Sequence, residues 1–269
     1  MDTVTSADGT TIAFEKTGHG PPLVLVHGTT ADHTRWEPIR PALEEQFTVY
    51  AIDRRGRGES GDSPEYALER EFEDIVAVIN SISEPVVLLG HSYGALCSLE
   101  AALRTDNIRK LILYEPPFLR TPGELTPAAT LAELHALVEN EENEQALVQF
   151  FTDVAGMSLD EVDVLRAAPN WPARVSAAHT VVREEAAPAA YVFDADRLAP
   201  LETPTLLLTG SESAPFLKEA TAALAEVLPN CRVVTFEGHG HVAINSATDR
   251  FVAEVLAFAG ESESLPQTP

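Results

Sequence analysis

Val86-Val87-Leu88-Leu89-Gly90-His91-Ser92-Tyr93-Gly94 is the stretch from which the rest of the chain is best read. An apolar run of strand length leads straight into Gly-x-Ser-x-Gly, and Ala95-Leu96-Cys97-Ser98-Leu99-Glu100 continues with helical character. A strand that becomes a helix within so few residues must bend sharply, with Ser92 at the apex. Side chains on either neighbour would clash in such a bend, hence glycine at both. The strained apex lifts the hydroxyl above the carboxyl edge of the sheet, where open α/β sheets bind ligands. The Tyr93 N–H, at the start of the helix, can face a developing oxyanion. The five-residue pattern alone is weak; its setting between a buried strand and a helix makes it specific.

Outward from this point, short apolar runs alternate with longer helix-like segments. That is the pattern of a mostly parallel sheet with crossover helices. Strands are expected at 11–15, 23–27, 48–52, 86–90, 108–114, 205–209 and 232–236, with a weaker one near Val4. The Asp8-Gly9 turn makes the opening a hairpin. Helices are expected at 34–45, 68–81, 95–104, 215–227 and 247–259, with Phe251, Val255 and Phe258 on one face of the last. Val, Ile and Leu dominate the inner strands, as helices covering both faces require.

One connection breaks the rhythm. Roughly ninety residues separate the strand ending at Tyr114 from the one starting at Thr205, far beyond an ordinary loop. Helices are expected there at 128–140, 144–154, 159–167 and 175–186. Residues 118–200 are therefore read as a helical insertion, 1–117 and 201–260 as the core, and 261–269 as a polar, disordered tail.

Composition removes several classes of function. Forty-two acidic residues against 18 basic ones give a net charge of −24, which repels nucleic acid and anionic membranes. The absence of an apolar membrane-length run and of a basic, apolar N-terminus points to a cytoplasmic protein. Only Lys16, Lys110 and Lys218 are lysines. A salt-rich cytoplasm selects such a balance, and a GC-rich genome by itself also favours arginine. Cys97 and Cys231 make no disulfide framework and no metal-ligand spacing, so they read as small buried hydrophobes, and no metal or cofactor is expected.

In these motifs the chain resembles the α/β-hydrolase fold superfamily over nearly its whole length. Leu23-Val24-Leu25-Val26-His27-Gly28-Thr29 looks like the family's His-Gly oxyanion loop. By that resemblance the Thr29 N–H is the second oxyanion donor and His27 a brace for the loop. Asp53-Arg54-Arg55-Gly56-Arg57-Gly58-Glu59-Ser60 looks like a structural turn of the family, whose arginines are expected to bond locally. Phe236-Glu237-Gly238-His239-Gly240-His241-Val242 resembles its Gly-x-Gly-His loop. That loop carries the catalytic histidine, here His241, with His239 as the nearby competitor. The implied fold is an eight-stranded, mostly parallel sheet with a helical cap inserted between the sixth and seventh strands.

A serine hydroxyl needs a base beside it, and a histidine base needs a carboxylate to fix its tautomer. The resemblance puts that acid after the penultimate strand, in Gly-x-x-Asp. Here the loop reads Gly210-Ser211-Glu212-Ser213, with serine in the acid's place. Two acids stay open. Glu212 is one residue off. Glu115 ends the preceding strand in Tyr114-Glu115-Pro116-Pro117, where some members, haloalkane dehalogenases among them, carry theirs; it is the preferred choice.

The implied function is a serine hydrolase that cleaves a small carboxylic ester through an acyl-enzyme. Thioesterase, lactonase, carbon–carbon hydrolase and metal-free perhydrolase chemistry share the machinery, and a non-catalytic ligand-binding protein is the alternative from another class. Dehalogenase and epoxide hydrolase chemistry is disfavoured because both need Asp where Ser92 stands. Gly28, Trp36, His91, Phe118, Phe150, Phe151 and Trp171 are expected around the pocket. For the aromatic residues, packing between helices is the competing reading.

Overall fold

A computed structural model describes residues 1–120, 123, 126–186 and 191–260; the tail expected at 261–269 lies outside them. Eight strands form one sheet: β1 (Asp2–Thr5), β2 (Thr11–Gly18), β3 (Pro22–Val26), β4 (Thr48–Ile52), β5 (Val86–His91), β6 (Ile108–Tyr114), β7 (Thr205–Gly210) and β8 (Cys231–Phe236). Their order is β1-β2-β4-β3-β5-β6-β7-β8. β1 and β2 form the opening hairpin, β2 runs antiparallel to β4, and the remaining pairings are parallel.

The central strands are apolar at nearly every position because both faces are covered. Side chains alternate across the sheet. Val24, Val26, Leu88, Leu113 and Leu207 pack on one side with α2 (Leu68–Asn80), α3 (Tyr93–Ala102) and α10 (Pro215–Val227). Leu23, Leu25, Val87, Leu89, Ile112 and Leu206 pack on the other with α1 (Arg40–Glu44), α11 (Ala243–Ser246) and α12 (Thr248–Gly260). Phe251, Val255 and Phe258 supply the buried face of α12.

The helix expected at 34–45 is broken. Asp32 caps a 3-10 turn, His33–Trp36, and α1 begins only at Arg40. Pro38 and Pro41 explain the break, since neither has an N–H to continue a helical ladder.

The insertion holds α4 (Ala128–Glu139), α5 (Asn143–Gln149), a π-helical turn (Phe150–Val154), α6 (Leu159–Arg166), α7 (Trp171–Ser176), α8 (His179–Ala186) and α9 (Ala195–Leu198). The helix expected at 175–186 is two helices, and α9 was not foreseen. The insertion has its own core of Leu134, Leu147, Phe150, Phe151, Val162, Trp171 and Val181.

A buried ionic cluster ties the insertion to the sheet. Glu184 of α8 pairs with Arg54 and Arg57 from the turn after β4, and all three side chains are shielded from solvent. Arg54 also meets Glu71 at 2.8 Å, and Arg57 donates to Thr180 at 2.7 Å. The local bonding expected for these arginines is thus only part of their role. Arg54 reaches across 130 residues of sequence to Glu184, and Arg57 joins it there. The Arg54 charge and then Arg57 hold the Glu184 carboxyl below its ordinary range against the opposing effect of burial.

Candidate active site

β5 delivers Ser92 with φ 56° and ψ −129°, a conformation that costs a residue with a side chain about 1–3 kcal/mol. Close packing enforces it. A Cβ on Gly90 would lie 2.5 Å from the Gly94 carbonyl, and one on Gly94 would lie 2.4 Å from the carbonyls of Val26 and His27. Glycine at both places lets the first turn of α3 sit directly against β3. The helix therefore starts at Tyr93, two residues earlier than periodicity suggests.

The N–H groups of Thr29 and Tyr93 carry no hydrogen bond to another protein group among the described residues. Thr29 sits on the loop after β3, and His27 braces that loop. The Arg54 N–H donates to His27 Nε2 at 3.1 Å, so Nδ1 carries the proton and donates to the Gly28 carbonyl at 2.8 Å. Burial, then the Arg54 charge, hold His27 well below its ordinary pKa and keep it neutral.

His241 follows β8 and is positioned by three groups. Its Nδ1 lies 2.6 Å from Glu115 Oε2. Its carbonyl accepts from His91 Nε2 at 3.0 Å. The Tyr114 hydroxyl donates to the Gly240 carbonyl at 2.6 Å and accepts from the Ala243 N–H at 2.9 Å, bracketing the loop. His91 is itself held neutral by burial, with the His241 ring adding to the effect.

Glu115 immediately follows β6, at φ 50°, and is fully buried. Its Oε1 accepts from the Thr209 hydroxyl at 2.8 Å and the Gly210 N–H at 2.7 Å. Burial pushes its pKa up. The His241 imidazole, the nearby Ser213 hydroxyl and the Gly210 N–H outweigh that and bring it below the ordinary carboxylate value. Glu212 is exposed, and its carboxylate accepts from Ser211 at 3.0 Å. His239 turns to Ser246, 2.8 Å away. Of the two open acids, Glu115 is the one within bonding distance of His241.

Ser92 and His241 line one cavity of about 620 Å³, together with Gly28, Thr29, His91, Tyr93, Phe150 and Phe151. Three expected pocket residues do not line it. Trp36 is wholly buried beneath the sheet face that carries α1 and α12. Phe118 stacks on Phe193 at 5.1 Å in the other core layer. Trp171 packs against Phe151 inside the insertion. Each is aromatic near a loop in sequence, but its ring fills a core. Arg35, Arg174, Glu185 and Asn245 also line the cavity and were missed. No motif marks them; only the folded path brings them together. Among the described residues no three His, Cys, Asp or Glu side chains gather as a metal site would require. None of the described helices is long and apolar enough to cross a membrane.

The model of the Alpha/beta hydrolase family matches residues 23–254. The chain is 28% identical to a pimeloyl-[acyl-carrier protein] methyl ester esterase of Aeromonas hydrophila, covering 93% of this chain and 99% of that protein. Among solved structures, an alpha/beta hydrolase from Sphaerobacter thermophilus superposes with a TM-score of 0.80 at 36% identity, covering 93% of this chain and 99% of the other. An esterase from Rhodococcus sp. superposes at 0.77 with 25% identity, covering 97% and 98%.

Proposed function

The chain belongs to the alpha/beta hydrolase family, and from that premise we propose that it is a serine esterase acting on small carboxylic esters. One observation carries the reading: Glu115 Oε2 lies 2.6 Å from His241 Nδ1, and His241 shares its cavity with Ser92. The relative named as a methyl ester esterase and the Rhodococcus esterase support it.

In this mechanism Glu115 keeps the His241 proton on Nδ1, leaving Nε2 free to take the Ser92 proton. Ser92 Oγ then bonds to the acyl carbon. The Thr29 and Tyr93 N–H groups stabilise the oxyanion, a contribution of about 100- to 1000-fold in turnover. The C–O bond breaks as His241 returns its proton to the departing alcohol. Water, deprotonated by His241, attacks the acyl carbon; the bond to Ser92 Oγ breaks as His241 returns the proton to that oxygen, and the acid leaves. Residues 118–200 act as the cap: Phe150 and Phe151 supply apolar wall, and the Glu184 cluster holds the cap over the core.

A fluorophosphonate should label Ser92 in the native protein, and p-nitrophenyl butyrate should be hydrolysed. Ser92→Ala and His241→Ala should each abolish both. Retention of turnover in Ser92→Ala would reject the mechanism.

A further inference from the structure

Two sorts of arginine are withdrawn from solvent in the described residues. Arg54, Arg55 and Arg57 each meet a carboxylate: Glu71 and Glu184, Asp74 and Asp8, and Glu184 respectively. Arg35 and Arg174 meet none within ion-pair distance among the described residues, and both line the cavity of Ser92 and His241.

Arg35 is 9% exposed. Its Nη1 donates to the neutral Asn245 amide oxygen at 2.7 Å, and its buried Nη2 has no partner. Arg174, half-buried on α7, donates through Nη1 to the Thr30 carbonyl at 3.2 Å and hydroxyl at 2.8 Å. Its Nε is buried and bare. The two cations act on each other: burial, and then the Arg174 charge, bring Arg35 down to about 10.

None of the nearby acids forms an ion pair with either arginine among the described residues. Asp32, whose charge acts on Arg174, has its Oδ1 engaged by the Thr34 N–H and hydroxyl at 2.9 and 2.5 Å. Glu185 is pushed up to about 7 by burial, so it is only partly ionised at neutral pH, and Thr126 donates to it. Glu37 is exposed. A guanidinium removed from water without an anion is costly, and its planar fork matches a carboxylate. In a chain of net charge −24, where acids outnumber bases, two guanidiniums that line one cavity without a paired carboxylate are an exception.

Their placement fits the reaction. Arg174 is bonded to Thr30, next to Thr29, and Arg35 is bonded to Asn245, on the short helix that follows His241. We infer that Arg35 and Arg174 form a carboxylate subsite within the reaction cavity, and that the preferred substrate is a half-ester of a dicarboxylic acid. The free carboxylate is held by the two guanidiniums while the ester carbonyl faces Ser92. Naming an ester rests on the serine-esterase reading; the carboxylate subsite does not.

The test is calorimetric binding to Ser92→Ala protein, which keeps the ligand intact. The ligands are monoethyl adipate and the ethyl ester of adipic monoamide, its neutral isostere. The half-ester should bind at least about tenfold more tightly. That preference should fall towards one when Arg174→Gln or Arg35→Gln is added. No binding of the half-ester, equal binding of the two ligands, or an undiminished preference in both arginine variants overturns the proposal. If either arginine variant fails to melt cooperatively, the comparison of the two ligands on Ser92→Ala alone decides. Failure here leaves fluorophosphonate labelling of Ser92 in the native protein untouched, so the two readings fail separately.

Discussion

Glu115 Oε2 and His241 Nδ1 stand 2.6 Å apart across 126 residues of sequence, joining the end of β6 to the loop after β8. The carboxylate is anchored on its other oxygen by Thr209 and Gly210, so it cannot swing away from the imidazole. Glu115→Gln keeps the shape but gives the histidine no anion and permits the wrong tautomer. It should lower kcat for p-nitrophenyl butyrate by on the order of 10²- to 10⁴-fold. Glu212→Gln should change kcat by less than about twofold, because exposed substitutions away from special features are nearly neutral. Steady-state kinetics on the two variants checks the assignment; the reverse order of effects rejects it.

The elbow yields a prediction about folding. A methyl on Gly94 would meet the backbone carbonyls of Val26, the last residue of β3, and of His27 just after it, both at 2.4 Å, which no side-chain rotation relieves. Gly94→Ala should therefore separate α3 from the sheet and cost several kcal/mol, on the order of the largest point-mutant effects. The expected outcome is loss of soluble expression, or a much lower urea midpoint. A Gly94→Ala protein with native stability would show that the helix can shift without penalty.

These two sites differ in how far sequence alone reaches. The sheet is legible because fully buried strands must be largely apolar runs, and Val86–Leu89 and Leu206–Leu208 are such runs. The elbow is legible because its glycines answer to clashes within a few residues. Glu115 is legible as a candidate because a carboxylate closing an apolar strand needs a partner. Choosing it over Glu212 requires the distance to His241, which sequence does not hold. Arg35, Arg174 and Glu184 are less legible still. Their meaning lies in what faces them across the cavity or the buried cluster, and exposed arginines and glutamates have the same local appearance. The broken helix at 34–45 is a plainer miss, since Pro38 and Pro41 carry the signal.

Titration of buried groups makes stability depend on pH. His27 and His91 have folded pKa values held below 6.5, so the unfolded chain takes up protons first as pH falls through 6.5, and stability drops. Glu185 works in the opposite sense. Its folded pKa of about 7 lies above the unfolded value, so the folded protein holds its proton between pH 7 and the ordinary carboxylate range. Stability then rises as pH falls across that window. Glu185→Gln removes this opposition. The loss of stability from pH 6.5 to 5 should steepen by about 1.4 kcal/mol per pH unit, the value of one proton. Urea midpoints at half-unit pH steps measure the slope. An unchanged slope would mean that Glu185 is ionised in the fold across this range.

Glu184 lies between Arg54 and Arg57, both fully buried, and no other described carboxylate pairs with Arg57. Removing one member of a buried pair leaves the other charge desolvated, which costs about 3–5 kcal/mol. Glu184→Gln should therefore destabilise strongly. Glu184→Asp keeps the charge on a shorter arm and should recover part of the loss. Because Arg54 pairs with Glu184 as well as with Glu71, its own replacement should cost less in the Glu184→Gln background than in the native one, a coupling that a double-mutant cycle reads directly. The same cluster ties α8 to the turn after β4, so loss of stability should come with faster protease cleavage between β6 and β7. Additive effects of the two substitutions, with unchanged cleavage there, would mean that the insertion is held by its apolar contacts and not by this ionic junction.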